Sequence, residues 1–305
     1  MINVTIDKEN DYVAYNDKDH MYWVKGSDFK CISVTTLVGK YCQPFDPEFW
    51  SSYKTLERLM GVNFLKIKSE LLSKKPKITS EFLKKYNIKL STFLETKQNI
   101  LKEWDNNKNN ACEIGTKIHA KQEGKAIDCS HEYIKKFYNG GKFMAVTDNR
   151  IMPGVTCHYP ELLLHYISPD KKLGIAGQAD LVLIDKDMNV NIIDYKTNGK
   201  IDKNSYFNKV TKKHQMMQYP LSHIQDSNYW HYALQLSVYG WMIKQIYPEA
   251  KIKDMRLIHI DRNTEKILQE YEVPYLEKEV ISMLKDYKIK NTTKTAYDKI
   301  KPIEY

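Results

Sequence analysis

Between Pro160 and Thr197 the chain holds three strand-like segments in direct succession. "PELLLHYI" (160–167), "IAGQADLVLID" (175–185) and "NVNIIDYKT" (189–197) are rich in Leu, Ile, Val and Tyr, with short polar breaks between them. Strands joined by so few residues pair antiparallel, because a parallel neighbour needs a crossover of a dozen or more residues. The next long segment, "YALQLSVYGWMIKQIY" (232–247), reads as a strongly amphipathic helix. "DMRLIHIDRNTEKILQEYEV" (254–273) reads as a hairpin around Asn263, and "LEKEVISMLKDYKI" as a final helix. Residues 198–230 read as a long polar and aromatic loop.

The N-terminal half is organised differently. Residues 1–30 read as short strands, with "DYVAYNDKDHMYWV" as a hairpin. "SVTTLVGKY" fits a helix capped by Ser33, and "QPFDPEFW" a proline-punctuated loop. Residues 54–110 read as lysine-rich helix broken at Gly61 and Pro76. "CEIGTKIHAKQEGK" (112–125) reads as a helix ending near Gly124, and 131–139 as one or two further turns. The expectation is a single α/β domain over 1–305 with a helical insertion in its N-terminal half. Its parts are N-terminal strands over 1–50, a helical region over 54–125 able to form an arch, and a core over 155–290.

Candidate chemistry gathers on the meander. Asp194 and Lys196 are two apart, so on a strand they share one face. A hairpin centred on Asp187 in "DKDMN" would set Asp180 opposite Asp194. Opposed residues have Cβ atoms about 4.5–5.5 Å apart, where two carboxylates repel unless a cation lies between them. Lys196 supplies one such charge, and Mg²⁺ or Mn²⁺ would supply more. A one-residue slip in register would send the two carboxylates to opposite faces. Glu161, on the preceding strand, either flanks the same site or is a solvated strand-end carboxylate. His119 and Glu123 share a helical face, as do Gln235 and Tyr239. A Gln on an apolar face needs hydrogen-bond partners.

The formal net charge of +9 favours an anionic partner, nucleic acid first, unless it reflects lysine-biased composition alone. Arg occurs only at 58, 150, 256 and 262, so phosphate contact outweighs base reading. The aromatic side chains of Tyr22, Trp23, Trp104 and Trp230 are either core or base-stacking platforms. "MINVTIDKEN" has neither the basic nor the apolar part of a leader, and no stretch approaches the ~18 apolar residues of a membrane span. Five cysteines without a C-x-x-C read as reduced thiols, which places the protein in a cytoplasm. No phosphate loop of the G-x-x-x-x-G-K-[ST] kind occurs, so any unwinding comes from elsewhere.

Four segments in order, "GTKIH", "GIAGQADLVLI", "IIDYKT" and "QLSVY", resemble the G-T-x-x-H, G-x-x-D, D-x-K and Q-x-x-x-Y motifs of the PD-(D/E)xK nuclease superfamily in its RecB-like exonuclease branch. "ISVTTLVGKY" is similar to the S-V-T segment of phage and mitochondrial genome-maintenance exonucleases. The resemblance implies a central mixed sheet flanked by helices. It implies that His119, Asp180, Asp194 and the main-chain carbonyl of Tyr195 coordinate one or two Mg²⁺ or Mn²⁺ ions, with Glu161 and Glu123 as weaker matches. Lys196 would be the catalytic lysine beside Asp180 and Asp194, and Gln235, Tyr239, Ser33 and Thr35 would serve DNA binding. Relatives with an iron–sulfur cluster carry three cysteines near the C-terminus; here none lies beyond Cys157, so no cluster is expected. The implied activity is a metal-dependent DNA exonuclease for single strands or DNA ends in replication, recombination or repair. An annealing protein or a helicase is the implied partner. The Lys, Asn, Ile and Tyr bias suits an AT-rich phage genome, hence a host cytoplasm. The alternatives are a structure-specific endonuclease of the same fold and a non-catalytic DNA-binding protein.

Overall fold

The computed structural model describes residues 8–9, 12–16, 21–138, 143–147, 150–209 and 211–298. The chain divides into two compact units. The first comprises 1–43, 115–207 and 214–305, and the second 44–114 with 208–213.

The first unit is built on one mixed sheet. Its described strands are β1 (Lys8–Glu9), β2 (Val13–Asn16), β3 (Met21–Val24), β4 (Lys30–Ser33), β5 (Met144–Ala145), β6 (Cys157–Ile167), β7 (Gly174–Ile184), β8 (Asn189–Lys196), and, after a small hairpin of β9 (Phe207–Asn208) and β10 (Lys213–His214), β11 (Lys251–Ile260) and β12 (Ile267–Glu272). The large sheet runs β1-β2-β3-β4-β7-β8-β11-β12, with β6 on β7 and β5 on β6. Connection length explains the mixture of directions. β6, β7 and β8 follow through tight turns and pair antiparallel. Helix α7 (Asn228–Ile246) lies between β8 and β11, which pair parallel.

The turn between β7 and β8 sets their register. Asp185 Oδ1 accepts the N–H groups of Asp187 and Asn189, each at 2.9 Å, and Met188 takes a left-handed φ of 60°. The register that follows, Leu181 opposite Ile193 and Ile184 opposite Val190, is the one a hairpin centred on Asp187 requires. Both faces of this region are covered. β7 is buried along nearly its whole length, and α7 contributes Ala233, Leu234, Leu236, Val238 and Met242 to the core.

The remaining helices are α1 (Val34–Gly39), α2 (Pro47–Met60), α3 (Leu65–Lys74), α4 (Ser80–Lys85), α5 (Leu90–Ile127), α6 (Glu132–Phe137) and α8 (Glu277–Asp298). Ser33 caps α1 as expected, its Oγ accepting the Thr36 N–H at 3.1 Å. The breaks expected at Gly61 and Pro76 are present, and Asn87, at φ 56°, adds another. The helix expected to end near Gly124 instead belongs to one α5 of 38 residues. No proline interrupts 90–127, and Gly124 stays helical, its carbonyl accepting the Asp128 N–H at 3.0 Å. The second unit has its own core of Phe49, Tyr53, Leu56, Phe64, Ile67, Leu71, Leu83 and Phe93. β2 and β3 form the expected hairpin, whose turn lies outside the described residues. Tyr22 is core, stacked on Tyr15 at 4.4 Å, and is not a base platform. No helix among the described residues is long and apolar enough to cross a membrane.

Gly177 on β7 is where three segments meet. A Cβ there would lie 2.9 Å from Tyr239 Cε1 on α7 and 2.9 Å from Val34 Cγ2 at the start of α1. Both neighbours are buried and cannot retreat. Gly177→Ala is expected to cost about 1–3 kcal/mol through overpacking. Gly115, in the interior of α5, has only Thr197 Oγ1 near its missing Cβ, at 3.5 Å. Gly115→Ala is therefore expected to stabilise by up to about 1 kcal/mol through helix propensity. Denaturant unfolding of the two variants checks the contrast, and equal stabilities would refute the packing account.

Candidate active site

The site forms where β7 loses its ladder. β6 covers one edge of β7 from Gly174 to Ile184, so β4 and β8 share the other. β4 pairs only with Ile175 and Ala176, and β8 only with Leu181 to Ile184. Residues 177–180 lie in the fork between them. There the Tyr195 N–H of β8 donates to the Asp180 side chain, Oδ2, at 2.7 Å. That bond fixes the carboxylate at the fork and satisfies an amide the ladder has abandoned.

Two further side chains converge on Asp180. His119 Nδ1, on α5, is 3.4 Å from Asp180 Oδ2. Glu161 lies across the β6–β7 ladder from Asp180, flanked by the pairs Pro160–Leu181 and Leu162–Ala179. It is not at the start of a strand, as expected from sequence, because β6 begins at Cys157. Its φ of 52° is left-handed, a conformation that costs a non-glycine residue of order 1–3 kcal/mol and concentrates at functional sites. Gln178 Nε2 holds the bend by donating to the Glu161 carbonyl at 3.1 Å. One ligand atom each from His119, Glu161 and Asp180 lies within 4.8 Å of the others. Glu123, one turn beyond His119, does not enter this cluster.

Asp194 and Lys196 form the other half. Lys196 Nζ is 2.6 Å from Asp194 Oδ2, with the side chains 15% and 2% exposed. The Tyr232 ring of α7 lies 4.6 Å from the same Nζ. Gln235 Nε2 donates to Tyr239 Oη at 3.2 Å and reaches Asp194 Oδ1 at 3.5 Å. α7 thus approaches from the face of Asp194. Tyr195, whose side chain points the other way, meets His119 edge-on with centroids 6.1 Å apart. Its Oη lies 3.3 Å from His131 Nε2. Thr197, next along, is held through its carbonyl by Arg262 at 3.0 Å, and Asn198 by His259 at 2.6 Å. Ser33 and Thr35 lie at the α1 cap, their hydroxyls 3.2 Å apart.

The electrostatics follow from this crowding. Burial alone would lower the His119 pKa, but the Asp180 carboxylate outweighs it and, with Asp194, raises it to about 9. Burial opposes ionisation of Asp180; His119, Lys196 and the Tyr195 N–H overcome it and hold the carboxyl below its usual range. Burial pushes Asp194 up to about 6, against the pull of Lys196. Burial likewise disfavours the Lys196 ammonium, yet Asp194 and Asp180 keep it charged.

The residues fit a hard divalent cation. Asp194 Oδ2 is buried and has the Lys196 ammonium 2.6 Å away as its counter-charge. Carboxylate oxygens with one imidazole nitrogen suit Mg²⁺ or Mn²⁺. His119, Glu161 and Asp180 are gathered as a ligand set, whereas Asp194 turns to Lys196. Tyr232, His259 and Arg262 were not singled out from sequence; Tyr232 precedes Gln235 by three residues on the same helix, and that spacing was its signal.

No protein-family model matches the chain, and no curated protein matches it. Among solved structures the chain is similar to the protein SSO0001, at 16% identity over 88% of this chain and 77% of that one, with a TM-score of 0.32. It is also similar to a candidate exonuclease from Eubacterium rectale, at 9% identity over 87% of this chain and 82% of that one, with a TM-score of 0.32. Likenesses this distant carry no function across. The fold class, α/β with a central mixed sheet flanked by helices, stands on the sheet itself.

Proposed function

We propose that the protein is a divalent-metal-dependent deoxyribonuclease, an exonuclease that hydrolyses phosphodiester bonds of single-stranded DNA or DNA ends in replication, recombination or repair. The observation that carries this reading is the convergence of His119, Glu161 and Asp180 ligand atoms within 4.8 Å at the sheet fork where Lys196 pairs with Asp194. His119, Glu161 and Asp180 would hold Mg²⁺ or Mn²⁺, with Asp194 and the Tyr195 carbonyl as further ligands. Such an ion, when bound, neutralises charge on the phosphate and lowers the pKa of an attacking water.

The chain's own groups have separable roles. Lys196 presents its ammonium to a phosphate oxygen and stabilises the charge that builds there. Asp194 and Asp180 keep that ammonium charged, and the Tyr232 ring shields one side of it from water. Gln235 orients Asp194 and is itself fixed by Tyr239. Lysine-dominated charge with few arginines supports contact with the phosphate backbone rather than base readout. The resemblance of "QLSVY" to the exonuclease-branch motif supports attack from ends.

The test is digestion of end-labelled linear DNA, single- and double-stranded, beside closed circular DNA, in Mg²⁺, Mn²⁺ or EDTA. Nucleotides are expected from the linear substrates with metal only, with circles intact. Circles cut as fast as linear DNA would replace the exonuclease by an endonuclease. DNA bound but intact in every metal would leave a binding protein.

A further inference from the structure

We propose a second metal site in this protein, formed by Cys42, Asp226 and His231 and suited to a borderline divalent ion such as Zn²⁺. The three residues come from separate places: the chain just past α1, the end of the long loop before α7, and the first turn of α7. Their donor atoms meet at one point. Cys42 Sγ is 3.3 Å from His231 Nε2, and Asp226 Oδ1 is 2.6 Å from the same nitrogen. All three ligand atoms lie within 4.8 Å of one another.

Two simpler readings fit less well. A nucleophilic Cys-His-Asp triad needs the carboxylate on one ring nitrogen and the thiol on the other. Here both converge on Nε2 and compete for it. A plain His–Asp pair, with the Cys42 thiol donating to the Val38 carbonyl at 3.6 Å, does not account for the sulfur also lying 3.3 Å from His231 Nε2. A tetrahedral ion accounts for all three. With metal–sulfur near 2.3 Å and metal–nitrogen near 2.0–2.1 Å, it sets S and N about 3.6 Å apart. The sulfur is already close to that distance, and the N–O pair would need to open by less than about 1 Å.

The surroundings are those of a supported ligand. Asp226 Oδ2 accepts the Gln43 N–H at 2.7 Å and Gln215 Nε2 at 2.9 Å. Both bonds fall on the oxygen turned away from the cluster, which leaves Oδ1 aimed into it. Gln218 Nε2 donates to the Cys42 carbonyl at 2.6 Å, and the Gln218 N–H to the Tyr41 carbonyl at 2.7 Å. Outer bonds of this kind orient metal ligands. Three protein donors leave the fourth tetrahedral position to water. A filled site would staple the α1 exit to the start of α7, the helix that carries Gln235 and Tyr239.

Cobalt(II) titrated into the full-length, metal-stripped protein distinguishes this site from the carboxylate cluster, because only a thiolate ligand gives a sulfur-to-cobalt charge-transfer band. One equivalent is expected to produce that band. Cys42→Ser and His231→Ala should lose it, while Cys112→Ser and Asp180→Asn keep it. Gln215→Ala, which removes only a supporting bond, should keep the band but weaken Zn²⁺ binding by roughly 10–100-fold in competition with a chromophoric chelator. Absence of the band at excess cobalt, or its survival in Cys42→Ser, overturns the proposal.

Discussion

If the proposed reading holds, Lys196→Ala is expected to lower metal-dependent nucleotide release from labelled DNA by at least about 100-fold, the scale on which one charge-stabilising donor contributes to a reaction. The variant also loses stability. Asp194 is 2% exposed, and removing the ammonium 2.6 Å away leaves its carboxylate buried and unpaired. Breaking a buried pair by deleting one partner costs about 3–5 kcal/mol. The two losses separate in a double variant. Asp194→Asn with Lys196→Ala carries no orphaned charge, so its unfolding midpoint should rise above that of Lys196→Ala while its activity stays absent. Near-wild-type turnover by Lys196→Ala would remove Lys196 from the reaction, whatever happens to stability.

Asp180→Asn is the second large effect, and it falls on metal binding. Asparagine keeps an oxygen for the Tyr195 N–H, so the bond that closes the fork survives. What disappears is the negative charge that draws His119 and the cation. In the wild-type protein Mn²⁺ at a hundred times its dissociation constant is expected to stabilise the fold by about 2.7 kcal/mol, an effect EDTA reverses. In Asp180→Asn the shift should vanish, and paramagnetic resonance of free Mn²⁺ should show the loss directly. Equal Mn²⁺ stabilisation in the two proteins would mean that the His119–Glu161–Asp180 cluster is not the metal site.

Much of the core is legible in the sequence. The β7–β8 register was legible because a turn of Asp, Lys and Asn between apolar runs permits few geometries, and Asp185 selects one. The ion pair of Asp194 and Lys196 followed from strand alternation. The shared face of Gln235 and Tyr239 followed from helical spacing, and the structure adds the bond between them. The helical insertion was visible in its lysine-rich periodicity, but its breaks were harder. Gly124 looked like a helix end and is not, because glycine permits a left-handed cap without demanding it. Asn87 looked ordinary and terminates α4.

Other features had no local signal. Glu161 read as a strand-end residue; its left-handed backbone depends on the Gln178 side chain across the ladder. Gly177 is required by Tyr239 and Val34, which lie far from it in sequence. Cys42, Asp226 and His231 share no spacing that a motif could record.

The sequence by itself determined the core strands and α7, the antiparallel meander and the faces on which Asp194, Lys196, Gln235 and Tyr239 lie. Those are consequences of periodicity and short connections, which act over a few residues. Only the tertiary structure decided that β4 and β8 divide one edge of β7, that the ladder opens at Asp180, and that α5 and α7 bring His119 and Gln235 to opposite sides of β8. Those outcomes depend on which distant apolar faces bury one another. Burial is non-directional and carries no record along the chain of the partner it will find.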